Sequence, residues 1–328
     1  MFAASTGSGT NMSLPYHDLA VANTVLEANT QRERVSYAIK LGWDVVGLAH
    51  QAAAKLAEAQ DRCAIRPTEL QELLSAVQGV REALAAAELR TAGGRGGRHR
   101  DPYSVRQLTR INIPADDPAV AQAACASAIA RGYDLVAVQP QNERLFQLAC
   151  ASLECDLISV DLSRRLPYRF KPALIKAALA RGLHFEICFA PALREAGARR
   201  QLFANALALA RETRGRSLVV SSGARSYMEL RGPLDVINLA TLFGLTQQQA
   251  TAAVTSAPAA VLQQAATRRA YRGTLTVRMR TTEELAAARK AEKEERERAA
   301  AAVSAAAAGP APMAVDAPRS FAQAAGRA

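Results

Sequence analysis

Histidine, cysteine and lysine are all thin in this 328-residue sequence, and each shortage excludes something. Four histidines (His17, His50, His99 and His184) are too few for the two- or three-metal clusters that hydrolyse phosphate esters. Five cysteines (Cys63, Cys125, Cys150, Cys155 and Cys188) form no CxxC pair; an odd number without framework spacing predicts reduced thiols, no metal site and an intracellular home. No apolar run approaches the roughly 18 residues of a membrane span, so no membrane partner is expected. The opening MFAASTGSGTNMSLP lacks the basic region and apolar block of a secretory signal. There is no Walker sequence, no GxSxG elbow, no HExxH and no glycine-rich dinucleotide fingerprint after the first strand candidate. Cations, by contrast, abound, and only six of the 41 are lysine.

Those cations are unevenly placed. Residues 1–103 carry 11 basic and 11 acidic side chains, and residues 281–328 carry 7 of each. Residues 104–280 hold 23 basic against 12 acidic, so the whole net charge of +11 lies there. A GC-rich genome accounts for arginine over lysine but not for the confinement of the excess. A concentrated positive field favours a polyanionic partner, most simply nucleic acid.

One phrase recurs: LGWDVVGLAH (41–50), RGYDLVAVQP (131–140), RGLHFEICFA (181–190) and RGRSLVVSSG (214–223). Before each copy stands a helix-like segment, for example PALIKAALAR before Gly182. The glycine fits the left-handed position that ends a helix, and the apolar run after it fits a buried parallel strand. The phrase therefore builds an αβ joint. With YHDLAV, VRQLTRINI and CDLISVDL, strand candidates fall at 16–21, 44–49, 107–113, 134–138, 156–161, 184–189 and 218–222. Alternating strands and helices imply right-handed βαβ units. Without a dinucleotide fingerprint, a TIM-like α/β barrel of about seven parallel strands is favoured over an open doubly wound sheet.

Other segments lie outside this pattern. Residues 1–13 are expected to be disordered, and the barrel domain to run from 14 to 280. Within it, 51–103 is a helical insertion with a helix near 68–90, opened by Pro67 and a Thr68/Gln71 capping box, and a flexible Gly/Arg loop at 92–101. Residues 281–308 read as a solvated, charge-balanced helix and 309–328 as a disordered tail.

From the third strand onward the sequence resembles the roughly 30-kDa protein-subunit family of eukaryotic and archaeal ribonuclease P and the related RNase MRP. The resemblance rests on QLTRINI, YDLVAVQPQNERLFQLAC, CDLISVDLSRRLPYRFKPALIKAALARGLHFEICFAPAL and VVSSGARSYMELRGPLDVINLATLFGL, in that order. LPYRFK and ELRGPLDV are its most specific runs, and it covers about residues 14–50 and 104–275. It implies a TIM-like barrel, a subunit that breaks no bond itself, and an RNA component that holds the Mg2+ used in cleavage, with no cofactor on the protein. It further implies ribonuclease P or MRP RNA as partner, a small RRM-like protein subunit beside it, precursor tRNA or precursor rRNA as substrate, and nuclear residence in a eukaryote.

For RNA contact, the first candidates are Arg164, Arg165, Arg169 and Lys171 in SRRLPYRFKP, with Tyr168 and Phe170 interleaved for stacking or for packing on the barrel. Arg231 suits an RNA contact or an ion pair with Glu229, and Arg110 an RNA contact or a buried carboxylate. Arg225 is included, although the family often carries that arginine one place later, where this chain has Ser226. Arg268, Arg269 and Arg272 read as a second exposed cluster. The rival reading is a metal-dependent phosphoesterase of the polymerase-and-histidinol-phosphatase type. His184 and Glu186 share a strand face, and Asp18 and Asp161 are placed to join them. Such a site usually begins with HxH, whereas here His17 and Asp18 are adjacent and point oppositely; a hydrogen-bonded layer bracing the barrel is the favoured reading of the group.

Overall fold

A computed structural model describes residues 14–22, 28–53, 56, 61–69 and 105–270. In chain order the elements are β1 (His17–Ala22), α1 (Ala28–Leu41), β2 (Val45–Gln51), β3 (Arg106–Ala115), α2 (Pro118–Ala126), α3 (Ala128–Arg131), β4 (Leu135–Pro140) and α4 (Glu143–Ala151). There follow β5 (Leu157–Ser159), α5 (Pro172–Ala180), β6 (His184–Cys188), α6 (Ala190–Arg194), α7 (Ala196–Thr213) and β7 (Leu218–Ser221). A 3-10 turn (Tyr227–Glu229), α8 (Pro233–Leu242), α9 (Gln247–Val254) and α10 (Ser256–Ala270) complete the described chain. Residues 1–13, the expected helix beyond Glu69, the Gly/Arg loop, Arg272 and everything after it lie outside the described residues; Thr68 and Glu69 themselves are not helical.

All seven strands are parallel and follow chain order, β1 to β7. They form the nearly closed TIM-like barrel that the αβ joints imply. The last gap, between β7 and β1, is sewn rather than laddered. The Ala22 N–H donates to the Ala224 carbonyl (2.9 Å), Asp18 Oδ1 accepts the Ser222 N–H (2.9 Å), and Ser222 Oγ donates to the Ala20 carbonyl (3.3 Å).

The repeated joint works as expected at three copies, where Gly42, Gly182 and Gly215 have φ of 101°, 79° and 68°. The copy at Gly132 differs. There φ is −71°, and the Gly132 N–H closes the short α3 turn on the carbonyls of Ile129 and Ala130. The aspartates of the joints act as staples. Asp44 Oδ2 accepts the Tyr16 N–H (2.9 Å), Asp134 Oδ2 the Thr109 N–H (2.9 Å), and Asp156 Oδ2 the Val136 N–H (2.8 Å). Each satisfies a donor at the start of the preceding strand that the ladder leaves open.

Two apolar cores result. The larger lies between the sheet and its helices, around Trp43, Phe146, Phe185 and Phe243. The smaller fills the lower barrel with Leu19, Val45, Leu108, Leu135, Leu157 and Val219, covered by Val261 and Ala265 of α10. Helix α10 is fastened across the strand N-termini: Arg268 Nε and Nη2 each lie 2.9 Å from an oxygen of Asp156, and Arg269 Nη1 lies 2.5 Å from Asp134 Oδ1. Arg268 and Arg269 therefore act as structural clamps, Arg268 partly buried and Arg269 exposed although paired. Strand β5 is also shorter than the 156–161 reading. Asp161 Oδ1 accepts from the Ser163 N–H (3.1 Å) and hydroxyl, a local turn that competes with the ladder.

Between Asp18 and Val21 the β1–β2 register shifts, opposite Gly47. A Cβ built on Gly47 would lie 2.4 Å from the Leu19 carbonyl oxygen. Gly47→Ala is expected to destabilise the fold by about 1–3 kcal/mol through overpacking against backbone. An unchanged urea unfolding midpoint would show that the bulge relaxes freely.

Candidate nucleic-acid interface

The strand C-termini open onto one face of the barrel, the face where TIM barrels carry their sites. The β5–α5 loop crosses it with Arg164, Arg165, Arg169 and Lys171, all exposed, Arg164 to 83% of its side chain. The interleaved aromatics do not stack outward. Tyr168 and Phe170 are buried, their rings 5.0 and 5.6 Å from that of Phe146 on α4. From the other side, Asn205 Nδ2 on α7 donates to the carbonyls of Leu162 (2.9 Å) and Arg164 (2.8 Å). Buried rings and an amide clamp thus hold the loop in one conformation while its cations face water. The ion pairs they make, Arg164 with Asp161 (3.2 Å) and Lys171 with Glu143 (2.6 Å), are exposed and so weak enough to be exchanged for phosphate.

The β7–α8 segment starts on the same face and runs down the flank of the barrel to the α1–β2 joint, where the Trp43 Nε1–H donates to the Arg231 carbonyl (2.9 Å). Arg225 and Arg231 are exposed, and Arg231 Nη1 donates to the carbonyls of Met228 (2.9 Å) and Leu230 (2.7 Å). Glu229 is not its partner; Glu229 pairs with Arg194 of α6 (2.7 and 3.1 Å) and accepts the Arg225 N–H (2.7 Å). Arg199 and Arg200 at the start of α7 extend the exposed cations. Sequence reasoning passed over them because a helix start does not announce which way its arginines face.

Arg110 is elsewhere. It is fully buried in the barrel, 0% exposed, and cannot touch RNA. Its Nη1 and Nη2 lie 2.5 Å from Glu186 Oε1 and Oε2, its Nε donates to Asn112 Oδ1 (2.7 Å), and Nη1 also reaches the Leu19 carbonyl (3.0 Å). Ser221 Oγ donates to Glu186 Oε1 (2.8 Å). Burial alone would push the Glu186 carboxyl up, but the guanidinium overrides it and holds the carboxyl below its usual range. Asp18, also fully buried, has no such cation to itself; burial, with nearby Glu186, pushes its carboxyl up.

The phosphoesterase grouping does not assemble. Glu186 is spent on Arg110 and Asp161 is exposed in the β5–α5 loop, so neither joins His184 as a ligand. Of that group only Glu186 and Asp18 are hydrogen-bonded into a bracing polar layer, with Arg110, Ser221 and Ser222.

Comparison with known proteins agrees with this architecture. The family model described as RNase P subunit p30 matches residues 15–270. A mouse protein named ribonuclease P protein subunit p30 is 34% identical over 246 residues, 75% of this chain and 84% of the relative. Protein GAMETOPHYTE DEFECTIVE 1 of Arabidopsis thaliana is 36% identical over 255 residues, 74% of this chain but only 42% of that longer protein. Among solved structures, a chain in the cryo-EM structure of archaeal ribonuclease P with mature tRNA superposes with a TM-score of 0.53 at 12% identity, covering 81% of this chain and 99% of that one. At that identity the likeness concerns the fold.

Arg110→Met leaves Glu186 buried and unpaired and should cost about 3–5 kcal/mol, whereas Arg110→Met with Glu186→Leu should recover most of it. A double variant no more stable than the single would contradict the pairing. Asp18 carries the opposite sign. A carboxyl raised on folding favours the fold below its ordinary pKa and loses that contribution as pH rises through the folded value. Asp18→Asn should therefore gain stability relative to the wild type on going from acid to neutral pH, read from urea unfolding at each. An identical difference at both would refute it.

Proposed function

The chain belongs to the RNase P subunit p30 family, and from that premise we propose that it is a non-catalytic, RNA-binding protein subunit of ribonuclease P, of RNase MRP, or of both. One observation carries the reading. The acid best placed to act inside the barrel is neutralised by a buried arginine, while the face that would hold an active site presents cations on a braced loop. In this reading the RNA component holds the Mg2+ that cleavage needs. The residues of this chain position phosphates: arginine guanidinium groups can bond two oxygens at once, and a preformed loop loses little entropy on docking. Precursor tRNA, or precursor rRNA for the MRP particle, is the substrate of the assembly. A small RRM-like subunit is a partner, and a eukaryotic source implies nuclear residence.

Reversal of Arg164, Arg165, Arg169 and Lys171 to glutamate should weaken binding to the particle RNA and reduce the slope of log affinity against log salt by about three, as expected for loss of four phosphate contacts. The barrel should stay folded, since all four side chains are exposed. Unchanged affinity and slope would remove the loop from the interface. Hydrolysis of RNA by the purified chain alone, abolished by His184→Ala, would overturn the non-catalytic reading.

A further inference from the structure

Three side-chain amides stand at or near the C-terminal ends of neighbouring strands: Gln51 on β2, Asn112 on β3 and Gln139 on β4. Alternation along each strand puts them on the face that carries Val45, Leu108 and Leu135 lower down, so they rim the mouth of the barrel. They form one chain with the buried ion pair. Arg110 Nε donates to Asn112 Oδ1 (2.7 Å), Asn112 Nδ2 to Gln51 Oε1 (3.4 Å), and Gln51 Nε2 to Gln139 Oε1 (2.8 Å). The first bond is buried, the second part-buried and the third exposed. An amide can be turned either way round, and what it offers a ligand depends on which end points out. Here the direction is fixed from below. A guanidinium only donates, so Asn112 must turn its oxygen to Arg110 and its NH2 toward the mouth. Gln51 meets that NH2 with its oxygen, and Gln139 meets the NH2 of Gln51 in the same way. The chain thus ends at Gln139 with an NH2 group that makes no hydrogen bond among the described residues, and Gln51 Nε2 keeps its second N–H. A row of amides that could offer donors and acceptors alike presents donors.

We propose that the barrel mouth reads the edge of an unpaired guanine in the RNA, with Gln139 and Gln51 touching the base and Asn112 and Arg110 as positioning residues that hold the amides donor-outward. Guanine carries two adjacent acceptors, N7 and O6, on its major-groove edge. Adenine sets an amino donor beside N7 and would leave two donors opposed. In an A-form helix that edge lies in a groove too deep and narrow for side chains, so the base must be unpaired to reach the mouth. Phosphates of the same strand have cations at hand, because Lys171 of the β5–α5 loop pairs with Glu143 (2.6 Å), four residues beyond Gln139. The buried pair that withdraws Glu186 from chemistry thereby acquires a second effect, setting the polarity of the surface above it. The proposal rests on the reading of the chain as an RNA-binding subunit and adds a base-specific contact to the phosphate contacts of the loop.

The test uses the assembled particle, purified through the tagged full-length chain, and dimethyl sulfate, which methylates guanine at N7. In the wild type an unpaired guanine of the particle RNA should be protected at N7. Gln139→Leu should raise its reactivity by about tenfold, as loss of a base contact does. Gln139→Glu keeps the size of the side chain but replaces its donors with oxygen, and should abolish the protection equally. A second measurement is the salt dependence of binding between the full-length chain and the particle RNA. Gln139→Leu should lower affinity by about tenfold with the log–log slope unchanged, since no phosphate contact is lost, whereas the loop reversal lowers the slope. No protected guanine, protection that survives Gln139→Glu, or a slope that falls with Gln139→Leu would each overturn the proposal, the last by making the mouth a phosphate contact. Absence of RNA from the wild-type particle would instead refute the subunit reading, and the guanine contact with it.

Discussion

The Arg110–Glu186 pair is the constraint around which the barrel is arranged. It spans the interior from β3 to β6 with no exposure of either side chain. An ion pair this deep adds little net stability over an apolar filling, because both charges must leave water. What it fixes is geometry. The guanidinium needs acceptors on its remaining edges, and the chain supplies Asn112 and the Leu19 carbonyl. That carbonyl comes from the shifted stretch of β1, and the shift is possible only because the facing residue of β2, Gly47, has no side chain. One pair thus accounts for a bulge, a glycine and the withdrawal of Glu186 from any chemistry.

The sheet was legible because its signal is local. Each strand is a short apolar run after a helix end, and all seven were placed to within a few residues. The exceptions have local causes: a right-handed turn at Gly132 where a left-handed one was expected, and the Asp161 turn that cuts β5 short. The destinations of individual side chains were not legible, because they depend on residues far away in sequence. The aspartates before β2, β4 and β5 were visible as letters, yet their role as staples appears only once the neighbouring strand is beside them. Arg110 reads like any cation on a strand, and only the arrival of Glu186, 76 positions later, turns it inward.

The arginines show the same limit in aggregate. The positive excess of residues 104–280 is one number in the sequence, but the fold divides it into three populations. Among the described residues, one arginine neutralises the interior, two clamp α10 across the strand N-termini, and others stay exposed, those of the β5–α5 loop on the opposite face. Charge density alone pointed to a polyanion; the division says which cations are free to meet it.

Strict sequential order gives the seam between β1 and β7 a further meaning. Every ladder joins strands adjacent in the chain, so most of the sheet can grow one unit at a time as the polypeptide emerges from the ribosome. Closure is different. The Asp18–Ser222 hydrogen bond brings together residues 204 positions apart, and nothing can form it until nearly all of the barrel has been synthesised. The cylinder is therefore wound gradually and locked late, by one backbone and two side-chain hydrogen bonds at the seam between its first and last strands.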